Sequence, residues 1–212
     1  MNLAWSRQKD LKRDEIPSIE AILNIVNGIE NPRDRALFVL AYLTAGRISE
    51  ITDYKQYVYI RLNPNEKPAK YRKEFVRRYA GITKKNMVKT ESSGREILLI
   101  DLPNRKNDGR PRKKLPVTLD KDYNIELVNI LLNYIKTKEE DEALFPITPT
   151  RAWQIISKYG YNPHFLRDIK LTHLVIYNNF NDQELIKYAG WSDGRPAKNY
   201  IQLRYDDMVK KL

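Results

Sequence analysis

In the stretch "NPHFLRDIKLTHLV", residues 162–175, His164 and Arg167 stand three residues apart, which puts both on one face of a helix. The chain has two histidines and both fall here. An imidazole that can give or take a proton near neutral pH, beside a guanidinium that always carries charge, suits the gripping of one phosphate group. Three other places hold residues of the same chemical interest. Arg47 follows Gly46 and opens a helix with Glu50 three residues on; Trp191 follows Gly190 at a helix end; Tyr200 lies nine residues after Trp191. Each has a plainer reading by itself. Arg47 and Glu50 can be a simple ion pair, His164 a helix-capping residue, Trp191 a core residue, and Tyr200 one of 14 tyrosines.

The missing residue types narrow the chemistry. There is no cysteine, which removes disulfides, thiol nucleophiles and most zinc sites. The sequence carries no GxxxxGK[ST] loop, no GxGxxG fingerprint and no GxSxG elbow. Carboxylate spacing suggests no metal site, and no cofactor has a visible seat. The longest apolar run, "ALFVLAYLTAG", is too short to span a bilayer, and the opening "MNLAWSRQKDLKRDE" is charged throughout. A soluble cytoplasmic protein is expected, not a membrane one.

Charge points to the partner. The formal net charge is +11 over 212 residues. Residues 61–115 hold 17 Lys/Arg against 6 Asp/Glu, while the rest of the chain holds 21 of each sign. A basic field concentrated in one segment suits a polyanion, most often nucleic acid.

These residues need elements to position them. "PSIEAILNIVNG" reads as a helix over 17–28. "NPRDRALFVLAYLTAG" reads as a second, with Asn31 as cap, Pro32 in the first turn and Gly46 at the end; its nearly continuous apolar run makes it central. A further helix opens at Arg47. Residues 61–95 are basic and show little periodicity. "EILLIDL" at 96–102 and "LPVTL" form a hairpin whose tip, "PNRKNDGRPRKK", is turn-rich and basic. Helices follow near 123–138, 150–159 and 163–179, then a short one capped by Asn181 and ended by Gly190. The pattern is α+β: mostly helical, with one small antiparallel sheet.

Taken in order, the residues resemble the tyrosine recombinase (phage integrase) family. Its signature runs roughly TGxRxSEL, a lysine in a β-hairpin, HxLRH, LGH or LGW, then a nucleophilic tyrosine. This chain has "TAGRISEI" at 44–51, Lys106 in the hairpin loop, "HFLRD" at 164–168, "YAGW" at 188–191 and "NYIQL" at 199–203. The likeness runs from about residue 17 to about 203, and its second half is the more specific.

The resemblance implies an enzyme that cuts double-stranded DNA through a covalent 3′-phosphotyrosine and rejoins it to another strand, with no metal, ATP or other cofactor. Tyr200 would be the nucleophile. Its hydroxyl has a reference pKa of about 10, so it needs help. Arg47 and Arg167 would hold the charge that develops on phosphorus, since planar guanidinium forks bind paired oxygens. His164 would donate to the phosphate or help deprotonate Tyr200, and Trp191 would donate its indole N–H. Lys106 would protonate the leaving 5′-oxygen. Glu50 would orient Arg47, and Asp168 would support Arg167 electrostatically. Arg105, Arg110, Arg112, Lys113 and Lys114 crowd the same loop as DNA-binding cations.

The chain departs from the family pattern in places. Asp168 stands where HxLRH has its second histidine, glycine comes directly before Arg47, and Tyr205 lies five residues beyond Tyr200. Spacing from Trp191 selects Tyr200. The expected organisation is one catalytic domain over 1–212, with a basic insertion at 61–95 and a short tail at 204–212. The family's N-terminal clamping domain would be absent or removed. Self-assembly into dimers or tetramers on DNA attachment sites is implied. Heavy use of Lys, Arg, Glu and Tyr suits a thermophile, and with the resemblance an archaeal mobile element. Two other readings stay open: a DNA-binding protein of this fold without the chemistry, and a relaxing topoisomerase of the type IB kind.

Overall fold

The computed structural model describes residues 16–103, 112–197 and 200. Arg105, Lys106 and Arg110, the tail at 204–212 with Tyr205, and the first 15 residues lie outside the described residues.

Helix starts follow local chemistry. In α1 (Ile19–Asn27) the Ser18 hydroxyl accepts from the Ala21 amide. In α2 (Pro32–Thr44) the Asn31 side chain accepts from the Arg33 and Asp34 amides, with Pro32 in the first turn. From Ala36 to Thr44 every residue of α2 is buried, as its unbroken apolar run requires of a central helix. Helices α4 (Asp122–Ile135) and α6 (Pro163–Asn178) pack against it. Helices α5 (Pro149–Lys158) and α7 (Asp182–Ala189) complete the helical layer.

The helix expected from Arg47 is a single turn, α3 (Ile48–Ile51). The chain then becomes β1 (Tyr54–Arg61), because the alternating run "YKQYVYIR" favours a pleated strand over a helix. Nor is the basic segment at 61–95 featureless. It contains β2 (Tyr71–Tyr79), paired antiparallel with β1, and β3 (Met87–Ser92). The charged residues on both faces of β2 hid its period. There are thus two sheets among the described residues: the ribbon β1–β2, and a three-stranded sheet in the order β3-β4-β5.

The hairpin expectation is met in its strands. β4 (Arg95–Leu102) pairs antiparallel with β5 (Lys113–Thr118), from Ile97 opposite Thr118 to Leu102 opposite Lys113. β5 begins earlier than "LPVTL" suggests, so Lys113 and Lys114 belong to the strand and not to the loop. Leu98, Ile100 and Leu102 of β4 and Leu115 and Val117 of β5 face the core, where they meet α2 and α4 residues such as Phe38, Leu127 and Leu131.

The second histidine of the chain is part of this core. His173 is 2% exposed. The Pro17 carbonyl, 2.8 Å away, can only accept, so His173 Nε2 carries the proton; Nδ1 then accepts from the Tyr42 hydroxyl at 2.7 Å. Burial pulls its pKa down to about 4, aided by Lys170 and opposed by the Pro17 bond and Glu20. Between pH 4 and about 6.5 the unfolded chain holds one more proton than the folded one. Stability is therefore expected to fall by about 3 kcal/mol on acidification through that window. Urea unfolding at pH 7, 5.5 and 4 checks this; His173→Gln should start less stable and lose less.

Candidate active site

The site is assembled at the C-terminal end of α2. Tyr188 donates to the Leu43 carbonyl at 2.5 Å, and Arg167 donates to the Ala45 carbonyl. Ala45, not Gly46, adopts the left-handed conformation (φ 44°) that ends the helix. Glycine is needed at 46 for space: a Cβ there would stand 2.8 Å from Thr44 Oγ1 and 3.0 Å from Leu102 Cδ1. The turn thus packs closely on β4 immediately before Arg47.

Arg167 is 7% exposed. Besides Ala45 it donates to the Ala189 carbonyl at 2.9 Å, so one guanidinium ties together the ends of α2 and α7. Two of its five N–H groups are used in these bonds. Its Cζ lies 5.7 Å from the centre of the Trp191 ring. On Trp191 stacks Tyr200, with ring centres 5.7 Å apart and an interplanar angle of 23°. The Tyr200 hydroxyl donates to Asp168 Oδ1. Burial and the adjacent Asp168 both hold the phenol well above its ordinary pKa, so Tyr200 is protonated at neutral pH. Burial also raises Asp168, opposed by Tyr200, Arg167 and His164. His164 is exposed in the first turn of α6, one turn before Asp168.

Arg47 enters from the other side. Glu50, fully buried, accepts from the Arg47 amide at 3.0 Å through Oε2, and from Arg47 Nη1 at 3.0 Å through Oε1. Lys113 Nζ donates to the same Oε2. Burial pushes Glu50 up, but the pull of Lys113 and Arg47 outweighs it and holds the carboxyl ionised below its usual range. Burial brings Lys113 down to about 8 against the pull of Glu50, leaving it charged at neutral pH. Burial and the nearby Arg47 both disfavour the Arg167 charge, with Glu50, Tyr200 and Asp168 opposing them.

The structure brings Arg47, Glu50, Arg167, Asp168, Trp191 and Tyr200 together, with His164 exposed at the edge within electrostatic reach of Asp168. One placement differs from the sequence reading. Lys113, expected as a surface cation, is buried as the partner of Glu50. Its place was legible: Leu115 and Val117 face inward, so residue 113 of the same strand must as well. Asp168 favours the charge of Arg167 and also accepts from the Tyr200 hydroxyl, a partner that the sequence reading had not given it. Arg112 pairs with Asp101 at 2.8 Å, and Lys114 is exposed on the outer face of β5. Among the described residues no three His, Asp or Glu side chains converge as metal ligands, and no helix is long and apolar enough to cross a membrane.

Removing one member of a buried ion pair leaves the other uncompensated, typically at about 3–5 kcal/mol. Lys113→Met is expected to destabilise by that order, reduced by the remaining Arg47 contact. The cost with Glu50→Gln should be clearly less than the sum of the two single changes in a double-mutant cycle read by urea unfolding.

No protein-family model matches the chain, and no curated protein matches it. Solved structures do. The chain is similar to the XerH site-specific recombinase bound to difH substrate in a pre-cleavage complex, with a TM-score of 0.54 and 16% identity over 94% of this chain and 51% of that one. It is equally similar to XerH bound to palindromic difH substrate in a post-cleavage complex, with a TM-score of 0.53 and 16% identity over 95% and 51%. The chain spans about half the length of the structures it matches. The likeness is one of architecture: the chain has the α+β fold of this site-specific recombinase.

Proposed function

We propose that the chain is the catalytic part of a tyrosine-type site-specific DNA recombinase. The observation that carries the reading is the convergence of Arg47, Arg167 and Tyr200, which are far apart in sequence, around Trp191 and Asp168. The fold likeness supports it, as does the basic charge of the chain.

The chemistry follows from the side chains. A DNA phosphate seated between Arg47 and Arg167 would meet N–H donors that the Ala45 and Ala189 carbonyls leave over. Tyr200 Oη attacks phosphorus, its proton passes to Asp168, and a bond to phosphorus forms as the bond to the 5′-oxygen breaks. The leaving oxygen takes a proton, a role we assign to Lys106. His164 donates to a phosphate oxygen. The two arginines stabilise the extra negative charge of the transition state. The tyrosine ester keeps the energy of the broken bond, so a second 5′-hydroxyl can reverse the step on another strand. Trp191 holds the Tyr200 ring and the Arg167 plane in register. Attachment sites on double-stranded DNA, integration of a mobile element and assembly into dimers or tetramers are part of this proposal.

The test is a nicked duplex substrate, or supercoiled plasmid where the site is unknown, incubated with EDTA. A denaturation-resistant protein–DNA adduct is expected, and Tyr200→Phe should abolish it while keeping DNA binding. An adduct surviving that change would move the nucleophile elsewhere; its absence from wild-type protein on DNA that it binds would favour a binding-only role. Asp168→Asn should slow adduct formation by about 10²–10⁴-fold, the usual range for a general base. In the wild type the rate should rise with pH through the Asp168 ionisation, because only the carboxylate can take the proton; Asp168→Asn should flatten that limb. Faster cleavage in the variant would mean that the carboxylate restrains Tyr200 instead.

A further inference from the structure

The ribbon β1–β2 takes no part in the site, yet its side chains are sorted. Register pairs Lys55 with Arg78, Tyr57 with Phe75, Tyr59 with Lys73 and Arg61 with Tyr71, with an irregularity after Gln56 that keeps these pairs on one face. That face carries four aromatics and four cations, and no carboxylate. The opposite face carries Val58, Ile60, Arg72 and Glu74, the last two ion-paired at 2.5 Å. On the sorted face Tyr59 is 65% exposed, and Tyr71 and Phe75 are each 57% exposed. Lys73 lies 3.9 Å from the centre of the Tyr57 ring, and Tyr57 meets Phe75 edge to face.

Its root is fixed to the active site. Asp53 binds Arg78 through paired bonds of 2.6–3.2 Å, and its amide donates to the Ile147 carbonyl at 3.0 Å. Asp53 lies two residues beyond α3, whose cap is Arg47. Eight strand residues reach about 26 Å from that point, most of one DNA helical turn. A two-stranded hairpin is marginal in water alone, and an exposed aromatic face of this size marks a binding surface. The cations identify a polyanion as its occupant, and phenol hydroxyls among them add donors for phosphate oxygens.

We propose that this face of the ribbon is a second contact surface for duplex DNA, gripping the sugar–phosphate backbone away from the scissile phosphate. The inference rests on the recombinase reading for its partner. The ribbon carries the contact through Lys55, Arg61 and Lys73, with Tyr59 and Tyr71 between them. Arg61 also donates to the Glu66 carbonyl at the ribbon tip.

The test is the salt dependence of affinity of the full chain for a labelled duplex of arbitrary sequence. Each lost phosphate contact lowers the slope of log K against log salt by about 0.9. Lys55→Gln/Arg61→Gln/Lys73→Gln should lower it by about 2–3. Lys55→Gln/Lys73→Gln, which keeps the tip bond, should lower it by about 2. Tyr59→Ser/Tyr71→Ser should weaken binding several-fold at one salt concentration. Val58→Thr/Ile60→Thr, on the other face, should change neither. An unchanged slope in both charge variants overturns the proposal. So does a change of oligomeric state in sedimentation with the slope intact, which would make the ribbon a contact between copies. The two readings fail separately: wild-type protein that binds duplex but forms no adduct sinks the recombinase chemistry and leaves the slope test of the ribbon standing. Wild-type protein that binds no duplex sinks both.

Discussion

The site depends on one buried guanidinium. Arg167 bonds the Ala45 and Ala189 carbonyls, at the ends of two helices that are distant in sequence. Helix C-termini present unsatisfied carbonyls and partial negative charge, so a cation between two of them is held without a directly bonded carboxylate. That leaves much of its positive charge directed outward, toward Arg47 and the Trp191 ring. A carboxylate bonded to the same fork would have neutralised it. The placement of Arg167 thus gives the site its positive sign.

Arg47 is held by different means. It sits at the start of a single helical turn, too short to be stable alone. Glu50 caps that turn, pairs with the Arg47 side chain and is itself compensated by Lys113. The ion pair joins the turn to β5 and so ties Arg47 to the three-stranded sheet. A buried charge pair is a costly way to join two elements, but it specifies their register more sharply than apolar contact does.

Tyr200 is held from two sides. Stacked on Trp191 and bonded to Asp168, the phenol is oriented but kept neutral. The β1–β2 ribbon contrasts with this dense centre. Its side chains are largely exposed, and its root is tied to the body of the protein through Asp53 and Arg78.

Much of this was legible in the residues alone. Caps at Ser18, Asn31, Asn162 and Asn181 mark helices because a short polar side chain answers an orphan amide wherever it stands. The α+β class follows from periodicity, and the grouping of Arg47, His164, Arg167, Trp191 and Tyr200 from the order of motifs. The strands of the basic segment were hidden because charged residues on both faces erase the two-residue period. The partners of individual charges were out of reach. That the inward-facing Lys113 meets Glu50, and that Asp168 meets Tyr200 as well as Arg167, depends on which atoms the fold brings within hydrogen-bond distance. Sequence spacing sets which face of an element a side chain occupies; only tertiary packing decides what that face meets, because the partners of a buried charge come from elements remote along the chain.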